Sequence, residues 1–108
     1  MKIINLICLK LRIDILDEIK KEVSVPLVLH GGSSNKDSEI EKAVEHGVNK
    51  INISSDIKVA YYNKMRDVLK DTSLREPNVI QPPCVEEMKK VALHKIKLFK
   101  ADNMASFY

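Results

Sequence analysis

The chain has 108 residues with a formal net charge of +3, enough for one small domain and too few for two. Lysines alternate with acidic residues along helical stretches, tryptophan is absent and aromatics are 5% of the chain, which argues against a nucleic-acid surface or a base-stacking platform. No segment approaches the roughly 20 apolar residues that a membrane span needs, so the expectation is a soluble, cytoplasmic protein.

Residues 1–9 carry one lysine and a brief apolar stretch broken by Asn5, without a small-residue cleavage site, and so do not read as a signal peptide. Residues 2–9 could supply an extra strand. Cys8 and Cys84 lack any CxxC or Cys/His spacing and read as two reduced thiols. Residues 13–23 put Ile15, Leu16, Ile19 and Val23 on one helical stripe, with acidic residues early and lysines late, as the helix dipole favours.

Pro26 blocks further helix and suits the first position of a strand, so residues 27–29 read as a short buried parallel strand that ends at His30-Gly31-Gly32-Ser33. Residues 33–38 form a loop. Ser38 with Glu41 predicts a capping box for a helix that buries Ile40, Ala43 and Val44, and Gly47 fits the left-handed position that ends it.

A second apolar strand over 48–53 turns abruptly small and polar at Ser54-Ser55-Asp56. Ser55 reads as the N-cap of a helix reaching about residue 70, its inner face formed by Ile57, Ala60, Tyr61, Met65, Val68 and Leu69. Residues 71–83, with three of the four prolines, read as an irregular connector. A last helix from about 85 to 99 carries Met88, Val91, Ala92, Lys95-Ile96 and Phe99 at helical spacing. Cys84 then falls at a helix start, where its thiol could be acidified, or serves as packing filler. His46 reads as a helix C-terminal residue facing the dipole, His94 as a surface or subunit-contact residue, and Tyr61 and Tyr62 as packing residues.

This order of elements predicts an α/β fold with βαβ units and a parallel sheet. The strand ends bring together a metal-competent imidazole, a glycine pair that lets backbone N–H groups approach an anion, and a hydroxyl cluster. That is a phosphate pocket beside a metal. Two strands leave sheet edges open, so the sequence reads like the end of a larger domain.

The segments LVLHGGSS, KINISSDIKVAYYNKMRDVL and PPCVEEMKKVALHKIKLFKADNMA, with Lys10-Leu11-Arg12-Ile13-Asp14 before them, resemble the C-terminal part of class II, zinc-dependent fructose-bisphosphate aldolases and their tagatose-bisphosphate relatives. The resemblance runs from about residue 10 to 105. It implies the C-terminal portion of a (β/α)8 barrel, its seventh and eighth strands with flanking helices, within a single truncated domain over 1–108. A full barrel takes roughly 250 residues and commonly binds phosphate with the loops after those strands.

By resemblance, His30 is a zinc ligand, Gly31, Gly32 and Ser33 hold the substrate phosphate, and Asn52, Ser54 and Ser55 contact the dihydroxyacetone phosphate portion. The implied reaction is the reversible cleavage of fructose- or tagatose-1,6-bisphosphate to dihydroxyacetone phosphate and glyceraldehyde 3-phosphate, a step of carbohydrate metabolism such as glycolysis, with Zn2+ polarising the ketose carbonyl. Ser34 stands where the family usually has a further glycine. Ser54 stands where fructose-specific members often have aspartate, which leans toward a tagatose-type or unassigned ketose-bisphosphate enzyme.

The family's other zinc ligands and its catalytic aspartate have no counterpart before Lys10. The expectation is therefore a chain with no catalytic residue of its own, inactive alone. Two alternatives stand beside it: a non-catalytic gene remnant, or one piece of a split aldolase that acts with a complementing barrel fragment. A homo-oligomer is a further possible arrangement.

Overall fold

The computed structural model describes residues 10–108, so the readings made for residues 1–9, the extra strand and Cys8 among them, lie outside the described residues. Four α-helices and two strands follow one another as α1 (Ile13–Glu22), β1 (Leu27–Leu29), α2 (Asp37–Glu45), β2 (Val48–Ile51), α3 (Ser55–Val68) and α4 (Pro77–Leu98). A 3-10 turn, Gly32–Ser34, lies between β1 and α2, and another, Ala105–Phe107, follows α4. None of these helices is long and apolar enough to cross a membrane.

β1 and β2 pair in parallel, with Leu27 opposite Val48, Val28 opposite Lys50 and Leu29 opposite Ile51. Asn49 is thus one residue too many for its partner strand, a β-bulge. Its side chain repairs the ladder, since the Leu27 N–H donates to Asn49 Oδ1 at 3.0 Å. The ladder continues past the strand ends, where Asn52 N–H donates to the Leu29 carbonyl at 2.9 Å and Gly32 N–H to the Asn52 carbonyl at 3.1 Å. These two bonds hold the loop after β1 against the loop after β2.

The most deeply buried apolar side chains are Ile40 and Ala43 of α2 and Cys84 of α4. α2 lies against β2, α1 and α4, while α3 and α4 pack along one another. Gly47, at a φ of 100°, ends α2 in the left-handed conformation expected of it. Tyr61 and Tyr62 form an edge-to-face pair with ring centroids 5.3 Å apart.

Several expectations need correction. Residues 77–83 are helical, not irregular, and α4 runs through Pro82 and Pro83. Pro77 at the first helical position needs no N–H partner, and the Glu76 carbonyl accepts from Val79 and Ile80, so a helical turn is established before the two later prolines. Packing of α4 as a whole along α3 then offsets the two backbone donors that Pro82 and Pro83 lack. Cys84 consequently sits inside α4, fully buried, with its thiol donating to the Ile80 carbonyl at 3.4 Å. The filler reading fits that position, and the helix-start reading does not.

α2 starts at Asp37, with Lys36 as N-cap and no side-chain capping bond, so the Ser38–Glu41 box does not form. β2 ends at Ile51 and not at 53, although its hydrogen bonding to the loop after β1 continues through Asn52. Val28 is exposed, as are Ile15, Ile19 and Val23 on the stripe of α1, and Leu69 on α3. An apolar groove of about 230 Å³, lined by Ile15, Leu16, Ile19, Leu27, Leu29 and Val48, is left open between α1 and β1.

Candidate functional site

The C-terminal ends of two adjacent parallel strands point their loops to the same side, so residues about twenty positions apart become neighbours. The two glycines after β1 serve different ends. Gly31 takes a φ of 69°, in the left-handed region, to turn the chain out of the strand. Gly32 is buried against β2, where a Cβ would lie 2.7 Å from Ile51 Cγ2. Close approach of the two loops therefore requires glycine there.

Gly31, Ser33, Ser34, Asn52, Ile53, Ser54 and Ser55 line a cleft of about 230 Å³ at these strand ends. It contains five of the six residues assigned to phosphate by sequence; the sixth, Gly32, lies buried in the same loop. Ser33 joins the two halves. Its hydroxyl oxygen accepts from the Ser54 N–H at 3.3 Å and the Asp56 N–H at 3.4 Å, which satisfies amides that the first turn of α3 leaves without helical partners. Ser54, not Ser55, is the N-cap position, and its own side chain makes no capping bond. The cap comes from the neighbouring loop. The start of α3 adds partial positive charge to the cleft.

His30 leaves the end of β1 and meets Asn52, whose Nδ2 lies 3.0 Å from the ring Nδ1. In this orientation the amide donates and Nδ1 accepts, which leaves the ring proton on Nε2. Turning the amide round would let its oxygen accept from Nδ1–H and free the Nε2 lone pair, the arrangement usual for a metal-bound histidine. A zinc site needs about three protein ligands. Among the described residues no group of three His, Cys, Asp or Glu could hold a metal ion, so His30 by itself does not fit a zinc site.

The other two histidines are elsewhere and have carboxylate partners. His46 Nδ1 lies 2.7 Å from Asp17 Oδ1, which joins the C-terminus of α2 to α1. His94 Nε2 lies 2.6 Å from Asp37 Oδ2, which joins α4 to the start of α2.

Beside the cleft is a cluster that sequence reasoning missed. Lys95, only 7% exposed, places its ammonium 3.0 Å from Asp56 Oδ2 and 3.3 Å from Asp37 Oδ1. Burial pulls its pKa down, but hydrogen bonding and charge from Asp56, then from Asp37, outweigh this and leave it raised. Asp37 is held below the usual carboxylate range, first by its hydrogen bond with His94, against some burial, and then by Lys95. The available signal was a lysine at a core-facing position of the last helix, together with an aspartate in the first turn of each helix that follows a strand.

Two parallel strands thus deliver a glycine turn, hydroxyls and a helix N-terminus to one cleft of a small α/β unit. Residues 5–104 match the family described as fructose-bisphosphate aldolase class-II, and the chain belongs to that family. It is 33% identical over 104 residues to a sulfofructosephosphate aldolase of Alkalicoccus urumqiensis, covering 92% of this chain and 35% of that protein. It is 35% identical over 91 residues to a fructose-bisphosphate aldolase of Staphylococcus aureus, covering 83% of this chain and 32% of that protein. The crystal structure of the YdjI aldolase from Escherichia coli K12 superposes with a TM-score of 0.72 at 32% identity, covering 88% of this chain and 35% of that one. The chain thus spans about a third of the length of these relatives.

Proposed function

We propose that the chain forms the phosphate-binding portion of a class II ketose-bisphosphate aldolase barrel, its two strands being the seventh and eighth. The observation that carries this reading is the cleft at the two strand ends, lined by Gly31, Ser33, Asn52, Ser54 and Ser55, in a chain of this family. The serine hydroxyls and the partial positive charge at the start of α3 would hold the phosphate end of dihydroxyacetone phosphate, the Gly32, Ser54 and Asp56 N–H groups being engaged by the Asn52 carbonyl and the Ser33 hydroxyl. His30 would contribute one zinc ligand. The remaining ligands and the proton-transferring aspartate have no counterpart in the described residues, so aldol cleavage of fructose- or tagatose-1,6-bisphosphate would require a further part of the barrel. The apolar groove left open between α1 and β1 suits neighbouring barrel elements.

Titration with inorganic phosphate and with dihydroxyacetone phosphate, followed through the amide resonances of Gly31, Gly32, Ser54 and Ser55, tests the reading. Saturable shifts that Ser33→Ala weakens severalfold are expected, with no cleavage of either bisphosphate by the chain alone. Absence of any shift would overturn the phosphate assignment. Zinc-dependent turnover lost in His30→Ala would overturn the expected inactivity.

A further inference from the structure

Lysine is rarely buried unless its charge is met by carboxylates, and holding an ammonium away from water is costly even then. Lys95 is nevertheless buried on the inner face of α4, and what it reaches is specific. Asp37 is the first residue of α2, the helix that follows β1 and its glycine turn. Asp56 is the second residue of α3, the helix that follows β2. One ammonium from the far end of the chain therefore binds the first turns of both helices that begin at the phosphate cleft.

The charge balance gives this arrangement a consequence. The Asp56 N–H points at Ser33 Oγ, a hydroxyl that lines the cleft. The carboxylate of the same residue lines the adjoining cavity, to which Ser33 also belongs, and unpaired it would oppose an anion held at Ser33. Asp37 lines the same adjoining cavity. Lys90 and His94 of α4 line the cavity next to these carboxylates, but the ammonium in contact with both aspartates is that of Lys95.

We infer that Lys95 is a positioning residue of the phosphate site: its ammonium bridges the carboxylates of Asp37 and Asp56, offsets one of their two negative charges and locks the first turns of α2 and α3, so that the cleft presents the start of α3 to an anion with less opposing charge. This rests on the phosphate reading above and extends it to a residue that never touches the ligand.

The test is titration of inorganic phosphate into the full chain as wild type, Lys95→Arg, Lys95→Met, Asp56→Asn and the double variant Lys95→Met/Asp56→Asn. The Gly32 and Ser55 amides report binding, and thermal melts report folding. Lys95→Met is expected to weaken phosphate binding at least about fivefold, Lys95→Arg to stay within about twofold of wild type, and the double variant to recover most of the loss. Wild-type affinity in Lys95→Met, or no recovery in the double variant, overturns the inference. Should Lys95→Met not fold, Asp56→Asn decides the matter: tighter phosphate binding supports the charge offset and weaker binding overturns it. A wild type that does not bind phosphate removes the phosphate reading itself. The lock is then judged without ligand, on the Ser33 and Ser54 amide shifts: altered in Lys95→Met but kept in Lys95→Arg supports it, and unaltered in Lys95→Met overturns it.

Discussion

Asn52 and His30 meet across the ends of neighbouring parallel strands, the amide Nδ2 3.0 Å from the ring Nδ1. This contact assigns the ring proton to Nε2 for as long as the amide donates. Long-range proton–nitrogen NMR of the imidazole should therefore show one dominant tautomer in the wild type and a mixture in Asn52→Ala, with a stability loss of about 1 kcal/mol or less. An unchanged tautomer ratio would mean that Asn52 does not orient the ring.

The two glycines of the turn should respond differently to alanine. Gly31→Ala meets no atom within 4 Å and suffers only the left-handed backbone, a cost of about 1 kcal/mol. Gly32→Ala drives a methyl group to 2.7 Å from Ile51 Cγ2 and should cost about 1–3 kcal/mol, with the loops after β1 and β2 pushed apart. Urea unfolding ranks the two, and a Gly31 variant less stable than the Gly32 variant would refute the packing account.

Stability should fall at both ends of the pH scale for reasons that meet at one cluster. Asp37 has a folded pKa below its unfolded value near 4, so its contribution is present above that value and is lost as pH falls through the folded one. Lys95 has a folded pKa above its unfolded value near 10.4, so its contribution is present below that value and is lost as pH rises through the folded one. Thermal melts across pH should show Asp37→Asn flattening the acid limb and Lys95→Met flattening the alkaline limb. Because Asp37 is half exposed, its effect is the smaller.

Pro82 is exposed on α4, where it supplies no N–H to the helix. Pro82→Ala should restore that donor and stabilise the chain by about 1 kcal/mol, the gain being reduced by the added freedom of the unfolded state. Cys84, fully buried two residues on, should resist thiol reagents in the native protein and react only after denaturant is added, as read by mapping of its peptide.

Local rules reached some of these elements and missed others. The strand Leu27–Leu29 follows from Pro26 and a uniformly apolar run, and α1 begins at Ile13, where the helical pattern places it. The start of α2 did not follow from the best local cap, because Asp37 is engaged by His94 and Lys95 some sixty positions away. The helix through Pro82 and Pro83 runs against local propensity and is held by packing on α3. The α1 stripe was legible as a stripe, but its exposure was not, since periodicity shows that a face is apolar and not what covers it.

The loop residues themselves carry the chemistry of the cleft in plain sight: glycines where a backbone must turn or approach closely, and hydroxyls where a helix begins. These are properties of single positions and their immediate neighbours. That Ser33 caps α3, that Asn52 faces His30, and that Lys95 binds two aspartates from different helices are relationships between distant positions. They exist only once parallel pairing sets the two loops side by side and α4 folds back over both helix starts, because hydrogen bonds and ion pairs depend on distance in space and not on separation along the chain.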